Sequence, residues 1–304
     1  MSDWAIETHQ LAKHYGATKA LDGLTLHAPL GTVYGFLGRN GAGKSTTLKI
    51  LLGLARATSG EARVLGEAVR PGNLRILERT AYVGENKPLY EWMTPAEMAR
   101  FTRGFYRRTW SNEAAARYAK ILDVPMDKKI RTLSKGNRTK ISLLLALSQG
   151  AELLMFDEPT DGLDPVYLDD VLRELMTRHV GEGRTVFFSS HDLSEVEQVA
   201  EWVGIIDNGR MLLEARLDDI REQYRMVIAS GNALPEKGEH LVSLTRDGSY
   251  RKYVLAREGE AWAASLANGG ATVLETKAMN LREVFLALLR KEKDDESVPV
   301  EVLA

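Results

Sequence analysis

With 304 residues the chain is long enough for one large domain and a smaller one, and its formal net charge of −2 gives no support to a nucleic-acid partner. The absence of cysteine excludes disulfides, thiolate zinc sites and cysteine nucleophiles. Because no stretch of about 18 consecutive apolar residues is present, we expect that the chain does not span a membrane by itself.

The first predicted elements are strands that lead into a glycine-rich loop. Residues 4–11 and 21–28 have the composition of strands, with a turn around Gly16. The apolar run of residues 32–37 predicts a further strand, and residues 45–54 predict a helix with leucines on one face. The intervening segment GRNGAGKSTT therefore has a strand before it and a helix after it.

This segment fits the phosphate-binding pattern G-x-x-x-x-G-K-[ST]. Its glycines let successive backbone N–H groups point at one anion, and the N-terminus of the following helix adds a positive dipole. Lys44 is expected to reach the β- and γ-phosphates of a nucleotide, and the Ser45 hydroxyl to hold Mg²⁺. The residues predicted to bind the nucleotide here are Asn40, Gly41, Ala42, Gly43, Lys44, Ser45 and Thr46.

The middle of the chain alternates short apolar runs with helical patterns. Strands are predicted at residues 61–65 and 80–83, a helical pattern covers residues 94–141, and Ser111 is a candidate N-cap within it. The apolar runs at residues 153–156 and 185–189 have helix-patterned residues between them, which predicts a buried parallel sheet. Residues 205–212 resemble a hairpin with Asn208-Gly209 as its turn.

A change of pattern near Tyr224 predicts a second domain. Short strands are expected at residues 226–230, 241–245, 252–256 and 272–276, followed by a helix that Asn280 and Glu283 begin as a capping box. We therefore expect a large domain over residues 1–224 with a helical subdomain at about 86–150. A small α+β domain follows at residues 225–290, and residues 291–304 form a charged, loose tail.

Several polar residues outside the glycine loop can be interpreted as structural or as functional. Asp157 and Glu158 end an apolar strand, where they are either a surface acidic pair or a Mg²⁺ and water-activating pair. Ser134 begins a helix as an N-cap, as a phosphate ligand, or as both. His191 is a structural or a switch histidine, and Tyr15 is a packed loop residue or a platform for a base.

Taken together, these segments resemble the ATP-binding cassette (ABC) family over about residues 4–224. Five motifs occur in the family's order: the phosphate loop, the signature-like LSKGN at residues 133–137, the acidic strand end, a dimer-loop match at residues 161–164, and His191. The resemblance implies an α/β P-loop NTPase fold, with a mixed sheet core, an antiparallel β subdomain and a helical subdomain. A small α+β domain follows it.

The resemblance also implies a mechanism. Two copies would close head to tail around two ATP molecules, each held by Lys44 of one copy and by Ser134 and Gly136 of the other, with Asp164 linking the sites. Tyr15 would stack on adenine, and Glu158 would be the general base. The remaining roles would be a γ-phosphate contact from His191 and Mg²⁺ ligation by Ser45, Asp157 and Glu85. Lys44, Glu158 and His191 are thus the expected catalytic residues.

The sequence departs from the family pattern at two places. The signature LSKGN has Lys135 and Asn137 where the family usually has glycine and glutamine, although Ser134 and Gly136 remain. Glu85 stands where the family usually has a glutamine that contacts Mg²⁺ and senses the membrane partner. A carboxylate is a good ligand for a hard cation, so Glu85 is either a metal ligand or a solvated loop acid.

The family resemblance predicts separate transmembrane permease subunits as partners, contacted near residues 85–94. Tyr90, Trp92 and Met93 suit such an interface, and the alternative is packing within the helical subdomain. The chain would then be cytoplasmic and peripheral on the inner face of the cell membrane, and export is the expected direction. The other hypotheses are a soluble ABC ATPase acting on ribosomes or nucleic acid, and a non-enzymatic switch, which the presence of Glu158 and His191 disfavours.

Overall fold

The computed structural model describes residues 3–86, 88–159, 180–231, 234–294 and 301–302. The chain divides into two compact units, Met1–Met211 and Leu212–Ala304. None of the helices in the described ranges combines the length and the apolar character that crossing a bilayer requires.

An antiparallel sheet opens the first unit. Its strands, in the order β2-β1-β4-β5, are β1 (Trp4–Tyr15), β2 (Thr18–Pro29), β4 (Ser59–Val64) and β5 (Glu67–Ala68). Tyr15 pairs with Thr18, which confirms the predicted turn at Gly16. The first two strands are longer than predicted because polar residues such as Lys13 continue the pairing beyond the apolar pattern.

A parallel sheet forms the centre of the first unit. Its strands are β3 (Val33–Gly38), β6 (Thr80–Val83), β7 (Leu153–Asp157), β8 (Thr185–Ser190) and β9 (Trp202–Asp207), adjacent in the order β9-β3-β8-β7-β6. Every residue of β3, β7 and β8 is buried, which accounts for their continuous apolar runs and confirms the predicted parallel sheet. In such sheets, ligands bind beyond the carboxyl ends of the strands.

Helix α1 (Lys44–Leu51) contributes to the apolar core of this unit. Leu48 and Leu51 belong to a buried cluster that also contains Leu24 from β2 and Phe187 from β8. The ring of Phe187 stacks on that of Tyr34 with centroids 5.1 Å apart. Because α1 is packed among residues of both sheets, the loop that precedes it is anchored at its helical end.

The helical subdomain consists of α3 (Pro95–Phe105), α4 (Asn112–Ile121) and α5 (Lys135–Leu147), and the short α2 (Leu74–Arg79) precedes β6. The predicted helical pattern is therefore broken into separate helices. Thr94 and Glu97 form a complete capping box at the start of α3. Ser111 caps α4 as predicted, by accepting a hydrogen bond from the Ala114 N–H.

A second antiparallel sheet dominates the second unit. Its strands, in the order β12-β13-β11-β14, are β11 (Arg225–Ser230), β12 (Leu241–Asp247), β13 (Tyr250–Leu255) and β14 (Thr272–Ala278). The helices are α7 (Leu217–Gln223), α8 (Gly259–Asn268) and α9 (Leu281–Asp294), and α6 (Leu193–Val199) belongs to the first unit. Asn280 and Glu283 form the predicted capping box at α9.

Helix α7 packs against α9 and β14 of the same unit. The predicted domain limit at Tyr224 stays a prediction. The tail predicted to be loose from Lys291 begins as helix, since α9 continues to Asp294. Strand β15 (Glu301–Val302) then pairs in parallel with β10 (Arg210–Arg216). The Asn208-Gly209 turn before β10 has positive φ at both residues, as the predicted hairpin requires.

Candidate nucleotide-binding site

The glycine loop leaves the carboxyl end of β3 and enters α1 through Gly43. Gly43 has a φ of 114°, and a Cβ at this position would lie 2.7 Å from the Ala20 carbonyl oxygen. Glycine is therefore the residue that this close approach of β2 permits. The Gly209 N–H donates to the Ala42 carbonyl oxygen at 2.9 Å, so the loop is fixed from a second side.

Lys44 lies across the mouth of this loop. Its side chain is only 6% exposed, and its ammonium group donates to the Gly38 carbonyl oxygen at 2.7 Å. The same nitrogen lies 3.2 Å from Oε1 of Glu158. A buried ammonium needs such partners because an unpaired charge in this environment is costly. An anionic ligand in the loop would compete with both partners for it.

Asp157 provides a buried carboxylate at the end of β7. Its Oδ1 accepts hydrogen bonds from the Ser45 hydroxyl at 3.1 Å and from the Ser189 hydroxyl at 2.7 Å. Parallel pairing of β7 with β8 places Asp157 beside Ser189, which explains the second contact. The sequence analysis placed Ser45 and Asp157 together as Mg²⁺ ligands but did not identify Ser189. The sequence feature that could have identified Ser189 is a hydroxyl at the end of a predicted strand, two residues before His191.

Glu158 connects the lysine and the histidine. Its Oε1 contacts Lys44, and its Oε2 lies 2.8 Å from Nδ1 of His191. The backbone has a φ of 50°, in the left-handed region that glutamate rarely adopts, and its N–H donates to the Ser189 hydroxyl at 3.1 Å. The carboxylate is 15% exposed and lines the cleft beside the glycine loop. The predicted catalytic residues Lys44, Glu158 and His191 are therefore adjacent.

The cleft has a volume of about 400 Å³. Its lining residues are Ala20, Arg39, Asn40, Gly41, Gly43, Lys44, Ser45, Thr46, Glu85 and Glu158. Six of the seven predicted loop residues are among them, whereas Ala42 is buried beneath the loop. Arg39 also lines the cleft and was not among the predicted residues.

Glu85 reaches this cleft from the end of β6. Burial, together with the nearby charges of Asp157 and Glu85, raises the pKa of Tyr82 to about 12. Tyr82 is therefore a neutral phenol at physiological pH. Since both carboxylates act on one phenol, Glu85 and Asp157 belong to one electrostatic environment.

The donors in the cleft fit Mg²⁺. Hard oxygen ligands in its lining are the Ser45 hydroxyl and the Glu85 carboxylate, and the buried Asp157 carboxylate lies directly behind Ser45. In the described part of the chain, His, Cys, Asp and Glu side chains nowhere form a group of three or more that could hold a metal by itself. Mg²⁺ commonly takes one or two carboxylates and completes its shell with phosphate oxygens and water, so this donor set suits a nucleotide-bound ion.

Other predicted site residues lie away from the lining of this cleft. Tyr15 is exposed at the end of β1, and the Lys13 ammonium lies 4.6 Å from its ring centroid. Ser134 is exposed and caps α5 by accepting from the Asn137 N–H at 3.3 Å, with Gly136 in the first turn. Asp164 and the dimer-loop match at residues 161–164 lie outside the described residues.

Comparison with known proteins places this site in a family. A family model described as ABC transporter matches residues 21–161. The bacitracin transport ATP-binding protein BcrA of Bacillus licheniformis is 35% identical over 223 residues, which cover 72% of this chain and 72% of that protein. The daunorubicin/doxorubicin resistance ATP-binding protein DrrA of Streptomyces peucetius is 32% identical over 315 residues, covering 96% of this chain and 94% of that protein.

A solved structure, described as the ATP binding subunit of an ABC transporter, has the same fold. It is 28% identical, with a TM-score of 0.65, and the match covers 72% of this chain and 92% of that one. The phosphate loop, Asp157 and Glu158 all lie within the residues that the family model matches. The chain therefore belongs to the ABC transporter family and is an ATP-binding cassette ATPase.

Proposed function

We propose that the chain is the ATP-hydrolysing subunit of a membrane exporter, working as a head-to-tail pair on separate permease subunits. The observation that carries the proposal is the contact network beside the cleft, in which Lys44 contacts Glu158 and Ser45 contacts Asp157. His191 joins them through Glu158. This arrangement supplies a phosphate cradle, metal ligands and a proton acceptor within one contact network.

Each residue has a role in hydrolysis that follows from its present partners. The loop N–H groups and Lys44 bind the phosphates, which draw the ammonium away from Glu158. Glu158 then accepts a proton from the attacking water, while His191 holds the carboxylate in position through Nδ1. Ser45, Asp157 and Glu85 would hold Mg²⁺, which neutralises charge on the phosphate oxygens.

The proposed pairing of two copies follows from the position of the signature segment. Ser134 and Gly136 do not line the cleft that contains Lys44 of the same chain. They lie at the N-terminus of α5, where a hydroxyl and the backbone N–H groups of the first turn can bind a phosphate presented by another molecule. A second copy that faces this one would therefore complete each site with Ser134, Gly136 and Asp164.

The proposed permease contact lies beside the segment that carries Glu85. A cavity of about 260 Å³ is lined by Gly84, Pro88 and Leu89 on one side and by α3 and α5 on the other. Gln149 is 9% exposed within this lining, and none of the described residues donates a hydrogen bond to its Oε1. A side chain of a partner that entered the cavity would satisfy this acceptor and touch the segment that leads back to the nucleotide.

The relatives support export as the direction. One is named for bacitracin transport and another for daunorubicin and doxorubicin resistance. A protein that feeds a permease in this way would be cytoplasmic and would sit on the inner face of the membrane. The transported compound would contact the permease, and the cassette would supply the ATP-driven closure and release.

The test is a pull-down from detergent-solubilised membranes of the source organism, with Glu158→Gln and ATP to hold the closed pair. Co-purification of a multi-span membrane protein, together with a molecular mass near twice 33.8 kDa for the purified variant, is the expected result. The control is the double variant Lys44→Ala, Glu158→Gln, in which both the co-purification and the doubled molecular mass should be lost. Recovery of ribosomes or nucleic acid in place of a membrane protein would contradict the proposal.

A further inference from the structure

The hydroxyl of Ser189 contacts both acidic residues at the end of β7. It donates a hydrogen bond to Oδ1 of Asp157 at 2.7 Å and accepts one from the backbone N–H of Glu158 at 3.1 Å. Ser189 is fully buried, and Asp157 is 1% exposed. The hydrolysis steps described above give Ser189 no part, although it touches the residue proposed as the general base.

The directions of these two hydrogen bonds follow from the chemistry of the groups. A backbone N–H can only donate, so the Ser189 oxygen is the acceptor in its contact with Glu158. An ionised carboxylate can only accept, so the single hydroxyl proton points to Asp157. The hydroxyl therefore acts once as an acceptor and once as a donor, and a side chain that lacks it loses both hydrogen bonds together.

The backbone of Glu158 has an unfavourable conformation that needs support. Its φ of 50° lies in the left-handed region, which is costly for a residue with a side chain. The next residue is Pro159, and a residue before proline normally has an extended backbone. Such a conformation persists only when its surroundings impose it. The Glu158 N–H donates to both the hydroxyl and the carbonyl oxygen of Ser189, the latter at 3.3 Å.

Strand β8 thus holds Glu158 from two positions. Ser189 binds its backbone N–H, and His191, which follows the strand, places Nδ1 at 2.8 Å from its carboxylate. Because the backbone determines where the side chain begins, a change at Ser189 would move the carboxylate relative to both Lys44 and His191. The position of the carboxylate therefore depends on a hydroxyl that does not contact it directly.

The register of the sheet gives Ser189 this place. In the parallel pairing of β7 and β8, Asp157 lies opposite Ser189. The neighbouring Ser190 is also buried, but its hydroxyl accepts from the Asp192 N–H at 2.9 Å and donates to Oε2 of Glu195 at 2.7 Å. The two adjacent serines therefore support different segments, and Ser189 is the one that supports the acidic pair.

We infer that Ser189 is a positioning residue for ATP hydrolysis, whose hydroxyl holds the Glu158 backbone so that its carboxylate can take the proton of the attacking water. The inference rests on the proposed function, in which Glu158 is the general base. It predicts an effect on turnover, because the phosphates are bound by Lys44 and the glycine loop. The alternative is that the hydroxyl only satisfies a buried carboxylate, in which case its loss would affect stability alone.

The test is steady-state ATP hydrolysis by the full chain, with thermal unfolding and ATP titration of the same samples. Ser189→Ala should lower kcat by about 10- to 100-fold, as expected for a displaced catalytic group, while the Kd for ATP changes by less than about threefold. Ser189→Thr keeps the hydroxyl and should recover most of the rate. If Ser189→Ala does not fold, Ser189→Cys replaces it, because a thiol of similar shape is only a weak hydrogen-bonding group.

Thr185 provides a matched control at the opposite end of β8. It is also fully buried, and its hydroxyl accepts a hydrogen bond from the Gly31 N–H at 2.9 Å. Thr185→Val should therefore lower the unfolding temperature while leaving kcat unchanged. Equal losses of kcat in Thr185→Val and Ser189→Ala, or a wild-type kcat in Ser189→Ala, would overturn the inference.

A double variant separates this inference from the proposed function. In Glu158→Gln the base is already absent, so the addition of Ser189→Ala should change the residual rate by less than about twofold. A further loss as large as in the wild-type background would mean that Ser189 acts through another group, and the inference would be wrong. A wild-type rate in Glu158→Gln alone would contradict the proposed base itself. A slow Glu158→Gln beside a fully active Ser189→Ala would remove only the positioning role.

Discussion

The nucleotide cleft and helix α3 hold basic side chains in opposite ways. In the cleft, the Lys44 ammonium is buried and lies 3.2 Å from a carboxylate oxygen of Glu158. On α3, Arg100 and Arg103 are exposed and have no carboxylate partner among the described residues. A buried cation needs a partner that balances its charge, whereas water is sufficient for an exposed one.

Among the substitutions considered, replacement of Lys44 by alanine should have the largest effect on ATP binding and hydrolysis. The change removes the cation while Glu158 remains, so the phosphates of ATP would meet an uncompensated carboxylate. We expect hydrolysis to fall by about 10²–10³-fold with loss of tight ATP binding, measured by a turnover assay and by nucleotide titration. Lys49→Ala, an exposed lysine at the other end of α1, is the matched control. Unchanged ATP affinity in Lys44→Ala would contradict the assignment of Lys44 as a phosphate ligand.

The two glycines of the loop test how far the cleft is preorganised. Gly43→Ala combines a φ of 114° with a Cβ 2.7 Å from the Ala20 carbonyl oxygen, whereas Gly41→Ala has a φ of 84° and free space around it. Gly41→Ala should cost about 1–3 kcal/mol from backbone strain alone. Gly43→Ala should destabilise the protein more and lose ATP binding, as thermal unfolding and nucleotide titration would show. Equal effects of the two substitutions would mean that the contact with β2 is unimportant.

Glu85→Gln tests whether Glu85 is a Mg²⁺ ligand. The substitution removes one carboxylate from the cleft but keeps its size. We expect the Mg²⁺ concentration for half-maximal hydrolysis to rise several-fold, which corresponds to a loss of about 1 kcal/mol or less in the free energy of metal binding. The loss is small because Asp157 and Ser45 remain. Glu91→Gln, on the same connecting segment, serves as the control. If the Mg²⁺ requirement is unchanged, Glu85 is a solvated loop acid and belongs outside the metal site.

The smallest effect concerns helix α3. Thr94→Ala removes the N-cap of α3 and should lower the free energy of unfolding by about 1 kcal/mol, with recovery in Thr94→Ser. Hydrogen bonding from the Thr94 backbone N–H and from Lys129 lowers the pKa of Glu97. The contribution of ionised Glu97 to the free energy of unfolding is therefore fully present above the ordinary pKa of glutamate. It is lost as the pH falls through the lowered pKa of Glu97 in the folded protein.

Chemical denaturation of wild type and Thr94→Ala across that acidic range is the measurement. The difference between the two proteins should shrink at the acidic end, where Glu97 is protonated. A constant difference would show that the hydrogen bond from the backbone N–H of residue 94 to the Glu97 carboxylate does not depend on the threonine hydroxyl.

The sequence allowed much of the cleft to be predicted because its chemistry is set by local spacing. The positions of Gly43, Lys44 and Ser45 follow from a short motif between a strand and a helix. The bridge from Lys44 through Glu158 to His191 was not predictable at that level. It depends on the order of three neighbouring strands and on the left-handed backbone of Glu158.

The exposed aromatic residues of the helical subdomain were predicted only in part. Tyr90 and Trp92 were singled out, with Met93, because they are close in sequence, whereas Phe101 and Phe105 fell within a predicted helical pattern. The contact of Phe101 with Tyr90 arises from the packing of α3 against the preceding segment. The total charge of −2 also concealed the excess of basic residues in the helical subdomain, since a sum over the chain hides a separation of charge between its parts. The roles of Tyr15, Ser134 and Asp164 stay predictions.

The most direct test of the central claim is the rate of ATP hydrolysis by Glu158→Gln, measured alongside its affinity for ATP. The account predicts a loss of about 10²–10⁴-fold in rate with ATP binding retained, because the amide keeps the shape of the side chain but accepts no proton. Hydrolysis at the wild-type rate would contradict it, and the carboxylate between Lys44 and His191 would then have a structural role.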